Sequence, residues 1–221
     1  MKALIKLILS LAAVFALTFV IIRFTGIISI EKIENWLTIA SNANHLWVSL
    51  IVIALLFADL FIAVPTLTIM ILSGYFLGHF NGAITSIIGV TLAGVTGYLV
   101  SYYHGQKLER FIIKDPQEQK DARQKFARHG VVMILFSRAL PILPEVSACM
   151  SGLTKMPFYK FFIAWMISSV PYAVVATYAG SISSVDNPKP AIFAAIILSI
   201  FLWCGWFITQ KVKKVSVVST E

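Results

Sequence analysis

Long apolar runs separated by short polar segments dominate the chain, and this pattern predicts an all-α membrane protein. Four stretches carry at most one charge and are long enough, at about 1.5 Å per residue, to cross a hydrocarbon core of roughly 30 Å as helices. These predicted spanning helices are residues 4–22, 82–103, 161–185 and 191–209.

Two further apolar stretches, 46–80 and 130–154, are interrupted by proline, which removes a backbone donor and breaks a helix interior. Pro141 and Pro144 divide the second stretch into halves of about 10 residues, or roughly 15 Å, which is half of the hydrocarbon core. Pro65 divides the first stretch in the same way. Each stretch is therefore predicted to form a re-entrant helical hairpin whose tip lies near the bilayer midplane.

Glycines follow each break and predict where the chain turns and where helices pack closely. Gly74 and Gly78 follow the first break, and Gly152 follows the second. A turn is predicted at Asn81–Gly82. Small residues recur every four positions along the spanning helix after that turn, which is typical of close helix packing in lipid.

The two hairpins match each other in sequence, which predicts an internal repeat. Asp59 lies six residues before Pro65, and Arg138 lies six residues before Pro144. The other matching pairs are Ser73-Gly74 with Ser151-Gly152, and Tyr102-Tyr103-His104-Gly105 with Thr177-Tyr178-Ala179-Gly180. Since the hairpins enter from opposite sides, the expected fold is an inverted repeat of two re-entrant hairpins, each followed by a spanning helix, with further spanning helices at both termini.

The basic segments set the expected orientation. The N-terminus, the polar loop 104–129 and the C-terminal tail carry the excess of lysine and arginine, and such segments face the cytoplasm. Re-entrance of both hairpins places all three on that side. A short cytoplasmic helix is expected from Pro116 to His129, with Asp115 as its N-cap.

The expected domain organisation is one membrane core with an anchor at each end. Residues 1–45 are assigned to an N-terminal membrane anchor followed by a short interfacial helix. Residues 46–185 form the core, and residues 186–221 form a C-terminal spanning helix with a basic tail. Pro171 is expected to kink the spanning helix 161–185.

Composition agrees with a membrane protein and excludes a soluble domain. Hydrophobic residues make up 58% of the 221 positions and charged residues 13%, with a mean hydropathy of +0.85. The net charge of +8 reflects cytoplasmic lysine and arginine facing anionic lipid, so no nucleic-acid partner is expected. Cys149 and Cys204 lie inside apolar runs and the histidines are scattered, so we expect no disulfide, metal site or cofactor.

Asp59, Arg138 and Glu145 are the candidate functional residues, because ionisable groups inside the membrane are costly and usually functional. Arg138 is expected to bind a phosphate oxygen while Asp59 takes and releases a proton. Alternatively, the two form a plain salt bridge that locks the hairpins, or Arg138 caps carbonyl groups at the break. Glu145 is a second candidate acid, or it starts the exiting helix, where its charge suits the helix dipole. The residues expected to shape the hairpins are Pro65, Gly74, Gly78, Pro141, Pro144 and Gly152.

The motif around Arg138 resembles a known family. Phe136-Ser137-Arg138-Ala139-Leu140-Pro141, with the later Gly152, Phe161-Phe162 and Pro171…Gly180, is similar to the VTT-domain superfamily of DedA and SNARE-associated Golgi proteins. The similarity runs from about residue 46 to residue 180. It implies facing re-entrant hairpins and movement of lipids between leaflets. Bacterial members are linked to undecaprenyl phosphate recycling and proton-coupled transport, and eukaryotic relatives act as scramblases.

The resemblance also implies a site and a location. The family's functional positions are acids in the first hairpin and arginines in the second, which match Asp59 and Arg138. DedA members often carry a further acid and a second arginine, where this chain has residues 66–68 (Thr-Leu-Thr) and Pro144-Glu145. The chain therefore resembles a divergent bacterial branch, and the resemblance implies a multi-pass protein of the bacterial inner membrane.

Three functions fit these patterns. The first is a flippase or scramblase that moves an anionic lipid, such as undecaprenyl phosphate or a phospholipid, with proton coupling as an option. The second is a non-transporting scaffold or assembly factor, which close helix packing fits equally well. The third is a lipid phosphatase, but no histidine lies in either hairpin core and no Ser–His or HExxH pattern occurs, so we expect no enzyme. The expected partners are membrane lipids with anionic headgroups, and oligomer formation stays open.

Overall fold

The computed structural model describes residues 30–62, 64–112, 115–139 and 142–183, with scattered positions in the two terminal segments. All regular structure in these ranges is helical, which confirms the all-α prediction for them. The elements are α1 (Ile30–Ala43), α2 (His45–Ala58), α3 (Thr66–Ile112), α4 (Pro116–Leu135), a 3₁₀ turn (Ser137–Ala139), α5 (Leu143–Leu153) and α6 (Phe158–Ser181). The predicted terminal spanning helices, 4–22 and 191–209, and the basic tail lie largely outside the described residues.

Two helices give the protein its membrane character. Apolar stretches long enough to cross a membrane lie in Thr66–Gly105 of α3, of which residues 79–105 follow a turn at Gly78, and in Phe158–Ser181 of α6. Ile84, Ile88 and Leu92 recur at helical spacing along α3 and are 44%, 44% and 47% exposed. Soluble proteins rarely expose contiguous apolar patches. A stripe of this kind is suited to face lipid, in agreement with the predicted membrane protein.

The first broken segment, residues 45–77, is interrupted where the sequence predicts. Residues 59–65 separate α2 from α3 and contain Pro65. α2 has 14 residues, which correspond to about 21 Å and are too few to cross the hydrocarbon core. The helical part of α3 that follows, residues 66–77, is comparably short.

The chain reverses at Gly78, so the turn predicted at Asn81–Gly82 was wrong. Gly78 has φ 76° and ψ 168°, a conformation that residues with a side chain rarely adopt. The Ser73 hydroxyl donates to the Gly82 carbonyl oxygen at 3.1 Å, although nine residues of straight helix would separate them by roughly 13 Å. Gly82 is helical, and it allows the two parts of α3 to approach each other closely, because a Cβ there would lie 2.8 Å from the Ser73 carbonyl oxygen.

The second broken segment, residues 130–153, is interrupted between α4 and α5, as predicted. After α4, the 3₁₀ turn leads to Ile142, whose φ of 73° is left-handed. Pro144 lies in the first turn of α5, where the donor that proline lacks is not needed. Pro141 lies outside the described residues.

Two of the helices around this segment, α4 and the second part of α3, are longer than predicted. Asp115 caps α4 as expected, since its Oδ1 accepts from the Gln117 backbone N–H at 2.9 Å. α4 then continues past His129 to Leu135 without a break at Gly130. The second part of α3 likewise runs to Ile112 rather than ending at residue 103, and α6 spans Phe158–Ser181 with Pro171 inside it.

Glycines let each broken segment pack against the long helix that follows the other one. A Cβ on Gly74 would overlap the Thr177 carbonyl oxygen, and a Cβ on Gly180 would overlap that of Ile71. A Cβ on Gly152 would overlap the Tyr98 carbonyl oxygen. α6 therefore crosses the first segment and α3 crosses the second, at backbone contacts that only glycine permits.

Two apolar cores result from this crossing. One joins the first broken segment to α1, to Val90 of α3 and to Ala173 of α6. The other joins the second broken segment to Tyr98 of α3 and Trp165 of α6. The two cores meet near the middle of α3 and of α6, between these residues.

Candidate functional site

The three ionisable residues selected from the sequence lie at the boundary between the two cores. Asp59 follows the end of α2, Arg138 lies in the 3₁₀ turn, and Glu145 lies in the first turn of α5. Each of the three therefore sits at a helix end created by a break. The breaks bring charges from both segments to one place.

Asp59 ties the break of the first segment together. It is 7% exposed, and its Oδ1 accepts from the Val64 backbone N–H at 2.8 Å. Its Oδ2 accepts from the Thr66 hydroxyl at 2.6 Å. The carboxylate thus satisfies donors that the interrupted helix leaves without helical partners, as an N-cap residue does.

Glu145 joins Asp59 in a pair of acids. Its position in the first turn of α5 suits a negative charge, because the helix N-terminus is the positive end of the dipole. Asp59 and Glu145 also line the same small buried cavity. Two carboxyl groups in one buried site repel each other when both are ionised.

Arg138 is held by neutral partners. Its Nη2 donates to the Ser169 hydroxyl oxygen at 3.0 Å. Its Cζ lies 5.1 Å from the ring centroid of Trp165 and 5.8 Å from that of Tyr172, within the range of cation–π interactions. In the described part of the chain, Arg138 forms no ion pair with either carboxylate. The plain salt bridge considered from the sequence is therefore not formed in this conformation.

One face of α6 contributes residues that the sequence reasoning missed. Trp165, Ser168, Ser169 and Tyr172 recur at helical spacing in an otherwise apolar helix. Trp165 Nε1, Ser168 Oγ and Arg138 Nε are buried and have no hydrogen-bond partner among the described residues. Buried donors are normally satisfied, so a cluster of such groups indicates a place for a polar ligand or water. The available signal was the Ser168-Ser169 pair, one helical turn from an aromatic residue on either side.

Trp165 reaches the site because α3 makes room for it. The indole ring packs against Gly94, where a Cβ would overlap the ring. A cavity of about 10 Å³ lies between Trp165, Gly94, Asp59 and Glu145, which is room for roughly one water molecule. The conformation is therefore closed to a lipid headgroup.

The residues expected to shape the hairpins have distinct local roles. Pro65 lies directly before α3 and Pro144 within the first turn of α5. Gly78 supplies a positive φ, whereas Gly74 and Gly152 permit backbone contact between helices. Ile142 is the less expected element, because a β-branched residue in the left-handed region is strained, and such strain often occurs at functional sites.

Metal chemistry receives no support from the described residues. No group of three or more His, Cys, Asp and Glu side chains in that part of the chain could hold a metal ion. Cys149 in α5 is a free cysteine, and Cys204 lies outside the described residues.

Comparison with known proteins identifies the family. The model of the VTT domain matches residues 64–182, which is more than half of the chain. The chain belongs to the VTT-domain family. The resemblance predicted from the arginine motif is thereby confirmed. The matched region includes Arg138 and Glu145 and begins shortly after Asp59.

Several curated proteins are similar to this VTT-domain chain. Undecaprenyl phosphate transporter A of Bacillus subtilis (strain 168) is 22% identical over 126 residues, which are 53% of this chain and 64% of that protein. The uncharacterized protein YqeD of the same strain is 27% identical over 150 residues, 67% of this chain and 72% of that protein. An uncharacterized membrane protein of Buchnera aphidicola subsp. Schizaphis graminum (strain Sg) is 24% identical over 210 residues, 85% of this chain and 82% of that protein. The chain thus spans less than two thirds of the named transporter. No solved structure matches it.

Proposed function

We propose that this VTT-domain protein moves an anionic lipid, such as undecaprenyl phosphate or a phospholipid, between membrane leaflets. The observation that carries the proposal is the state of Arg138. Its guanidinium lies between the two cores, is hydrogen-bonded to a neutral serine and forms no ion pair in the described part of the chain. A guanidinium that is positioned but not neutralised is suited to bind a phosphate.

The comparisons support this function at the level of the family. One relative is named undecaprenyl phosphate transporter A, and it is 22% identical to this chain. At this sequence identity, the lipid that this chain moves has to be identified by experiment. A phosphate-bearing lipid is the shared chemistry that Arg138 would recognise.

The two broken segments are proposed to be re-entrant hairpins of an inverted repeat. Gly74 and Gly152 support this arrangement, because each follows the break of its own segment and contacts the long helix of the other. The equivalent contacts are reciprocal, as a two-fold axis in the membrane plane requires. The protein would then lie in the bacterial inner membrane with both termini in the cytoplasm, since the basic segments face that side.

Each of the three charged residues has a proposed task. Arg138 would hold the lipid phosphate near the midplane, where an uncompensated phosphate is costly. Asp59 and Glu145 line one buried cavity, where one of the two acids would hold a proton, and a phosphate arriving at Arg138 would change the field on that proton. Release or uptake of the proton is how transport would couple to pH. The closed cavity requires the two hairpins to separate before a headgroup enters.

The protein is proposed to act without breaking bonds in the lipid. The competing function is a scaffold that holds partner proteins, which the glycine contacts between helices fit as well. The transporter and the scaffold differ in what they require of Arg138. A transporter needs its charge in contact with substrate, whereas a scaffold needs only the folded shape.

Transport in liposomes tests the proposal. The purified full chain is reconstituted, and the movement of labelled undecaprenyl phosphate and labelled phospholipid is followed for the parent, Arg138→Lys and Arg138→Ala. We expect Arg138→Ala to fall to the rate of protein-free vesicles. Arg138→Lys should retain part of the activity, because lysine keeps the charge but loses the bidentate geometry. Normal transport by Arg138→Ala, or none by the parent, would favour the scaffold.

A further inference from the structure

A second pocket lies where α5 turns into α6. It measures about 290 Å³, near the lower end of the roughly 300–1,000 Å³ that is usual for small-molecule sites. Its lining residues include none of the side chains that contact Arg138. The aromatic walls are Tyr98, Tyr102, Tyr103 and Phe158.

Lys155 brings a positive charge into this pocket. Its Nζ lies 3.6 Å from the ring centroid of Tyr102 and also donates to the Tyr102 carbonyl oxygen. An ammonium group has three donors, so two remain for a ligand. None of the described residues that line the pocket is acidic, and within the described structure Lys155 forms no ion pair.

The backbone at Lys155 favours glycine rather than lysine. Its φ is 56°, and it follows α5 in the position that a helix-ending Schellman motif usually gives to glycine. The Lys155 N–H donates to the Gly152 carbonyl oxygen and the Met156 N–H to that of Ser151, both at 3.0 Å. The turn after the first segment also contains a residue with a positive φ, and there it is a glycine, Gly78. The backbone conformation therefore does not explain a lysine at this turn, whereas a function for its charge would.

The walls of the pocket have the composition of a membrane surface. Tyr103 is 71% exposed and Phe158 is 45% exposed, and Lys160 follows on the same end of α6. Tyrosine and lysine are enriched where a membrane helix reaches the headgroup layer, because both have an apolar body and a polar tip. An occupant with an anionic head and an apolar remainder complements Lys155 and the aromatic walls together.

We propose that this pocket binds the phosphate-bearing headgroup of an anionic lipid at the membrane surface, with Lys155 as its cationic contact. The role of this pocket in the protein rests on the proposed transport function. The pocket would load or release the lipid whose phosphate Arg138 holds at the centre. The binding itself is independent of transport and is measured separately.

Binding of a soluble short-chain phosphatidate to the full chain in detergent micelles tests the proposal by calorimetry. Lys155→Gly is the informative variant, because it removes the charge at a backbone position that favours glycine. Its melting temperature is therefore expected to equal or exceed that of the parent. We expect its Kd for phosphatidate to rise about tenfold, because the variant loses one hydrogen bond to a charged group and such a loss typically weakens binding by about that factor or more.

Lys160→Ala is the matched control. It removes a positive charge near the start of α6, five residues after Lys155, but Lys160 does not line the pocket. Its Kd is expected to equal that of the parent. An unchanged Kd in Lys155→Gly, or the same loss of affinity in Lys160→Ala, would overturn the proposal.

Inorganic phosphate distinguishes a lipid site from a general phosphate site. It lacks the apolar part that would contact the aromatic walls, so it should bind more weakly than phosphatidate. Equal affinity for the two would overturn the assignment to a lipid. Normal phosphatidate binding by Lys155→Gly with no transport by Arg138→Ala would remove only the surface site. Weakened binding by Lys155→Gly with normal transport by Arg138→Ala would remove only the transport function.

Discussion

Arg138 and Ser169 connect the break of the second segment to the middle of α6 through one hydrogen bond, 3.0 Å from Nη2 to the hydroxyl oxygen. Serine is a neutral acceptor, so this contact orients the guanidinium without cancelling its charge. Trp165 and Tyr172, which precede and follow Ser169 by about one helical turn, place their rings near the same cation and stabilise it. A positioned and uncancelled charge is the basis of the transport function proposed for this protein.

Ser169→Ala tests the orientation of Arg138. The variant loses a hydrogen bond to a charged group, which is typically worth about 1.5–3 kcal/mol, so we expect lipid transport to fall roughly tenfold or more. Ser181→Ala is the matched control, because the Ser181 hydroxyl donates to the Tyr178 carbonyl oxygen near the end of the same helix. Rates are measured in liposomes at equal protein content. Equal rates for the two variants would show that Ser169 has no part in positioning Arg138.

Trp165 is expected to act as a platform for the cation. Trp165→Phe keeps a ring beneath Arg138, whereas Trp165→Leu removes it. A cation–π contact is worth about 0.5–2 kcal/mol, so transport should fall several-fold in the leucine variant and less in the phenylalanine variant. The two rates are compared in the same liposome assay. If the leucine variant were the more active of the two, the ring would not support Arg138.

Gly152→Ala tests the crossing of the second segment by α3. A Cβ at this position would overlap the Tyr98 carbonyl oxygen, and a backbone atom cannot move away as a side chain can. Overpacking costs about 1–3 kcal/mol even where side chains give way, so we expect at least that loss of stability. The melting temperature of the purified protein in detergent measures it.

Gly105→Ala is the control for that substitution. Its nearest contacts are side-chain atoms of Leu153 at 3.4 Å, which is an ordinary van der Waals distance. The melting temperature should therefore stay close to that of the parent. A tolerated Gly152→Ala would contradict the close crossing and with it the reciprocal arrangement of the two segments.

Asp59→Asn is expected to uncouple transport from pH. The amide keeps an oxygen that can accept from the Val64 N–H but can neither take up nor release a proton. Transport is measured at two pH values on either side of neutrality. The ratio of the two rates should approach one in the variant, because the carboxyl group proposed to couple transport to pH is lost. Thr66→Val is the control, since it removes the hydroxyl contact to Asp59 and leaves both acids in place. If the two rates in Asp59→Asn still differed as they do in the parent, Asp59 would serve only to cap the break between α2 and α3.

The breaks could be predicted from the sequence because proline acts locally. Pro65 directly precedes α3 and Pro144 lies in the first turn of α5, so each interruption lies beside a proline in an apolar stretch. Pro171, in contrast, is accommodated inside α6. The turn could not be located in the same way. Gly78 and Gly82 give the same signal in sequence, and only the packing of Ser73 against Gly82 decides which of them reverses the chain.

The charged residues of the site could also be found from the sequence, since Asp59, Arg138 and Glu145 stand out in apolar stretches. Their partners could not. Whether Arg138 contacts a carboxylate or Ser169 depends on how α6 crosses the second segment, and that crossing follows from contacts between residues distant in the chain. Trp165 and Ser169 look like ordinary members of an apolar helix until the packing turns them toward Arg138.

The most direct test of the central claim compares two lipids that share a tail and differ in charge. Transport of undecaprenyl phosphate and of undecaprenol is measured in the same liposomes for the parent and for Arg138→Ala. If Arg138 holds the lipid phosphate in the middle of the membrane, the parent will prefer the phosphate and the variant will lose that preference. A preference for the phosphate that persists in Arg138→Ala would contradict the claim.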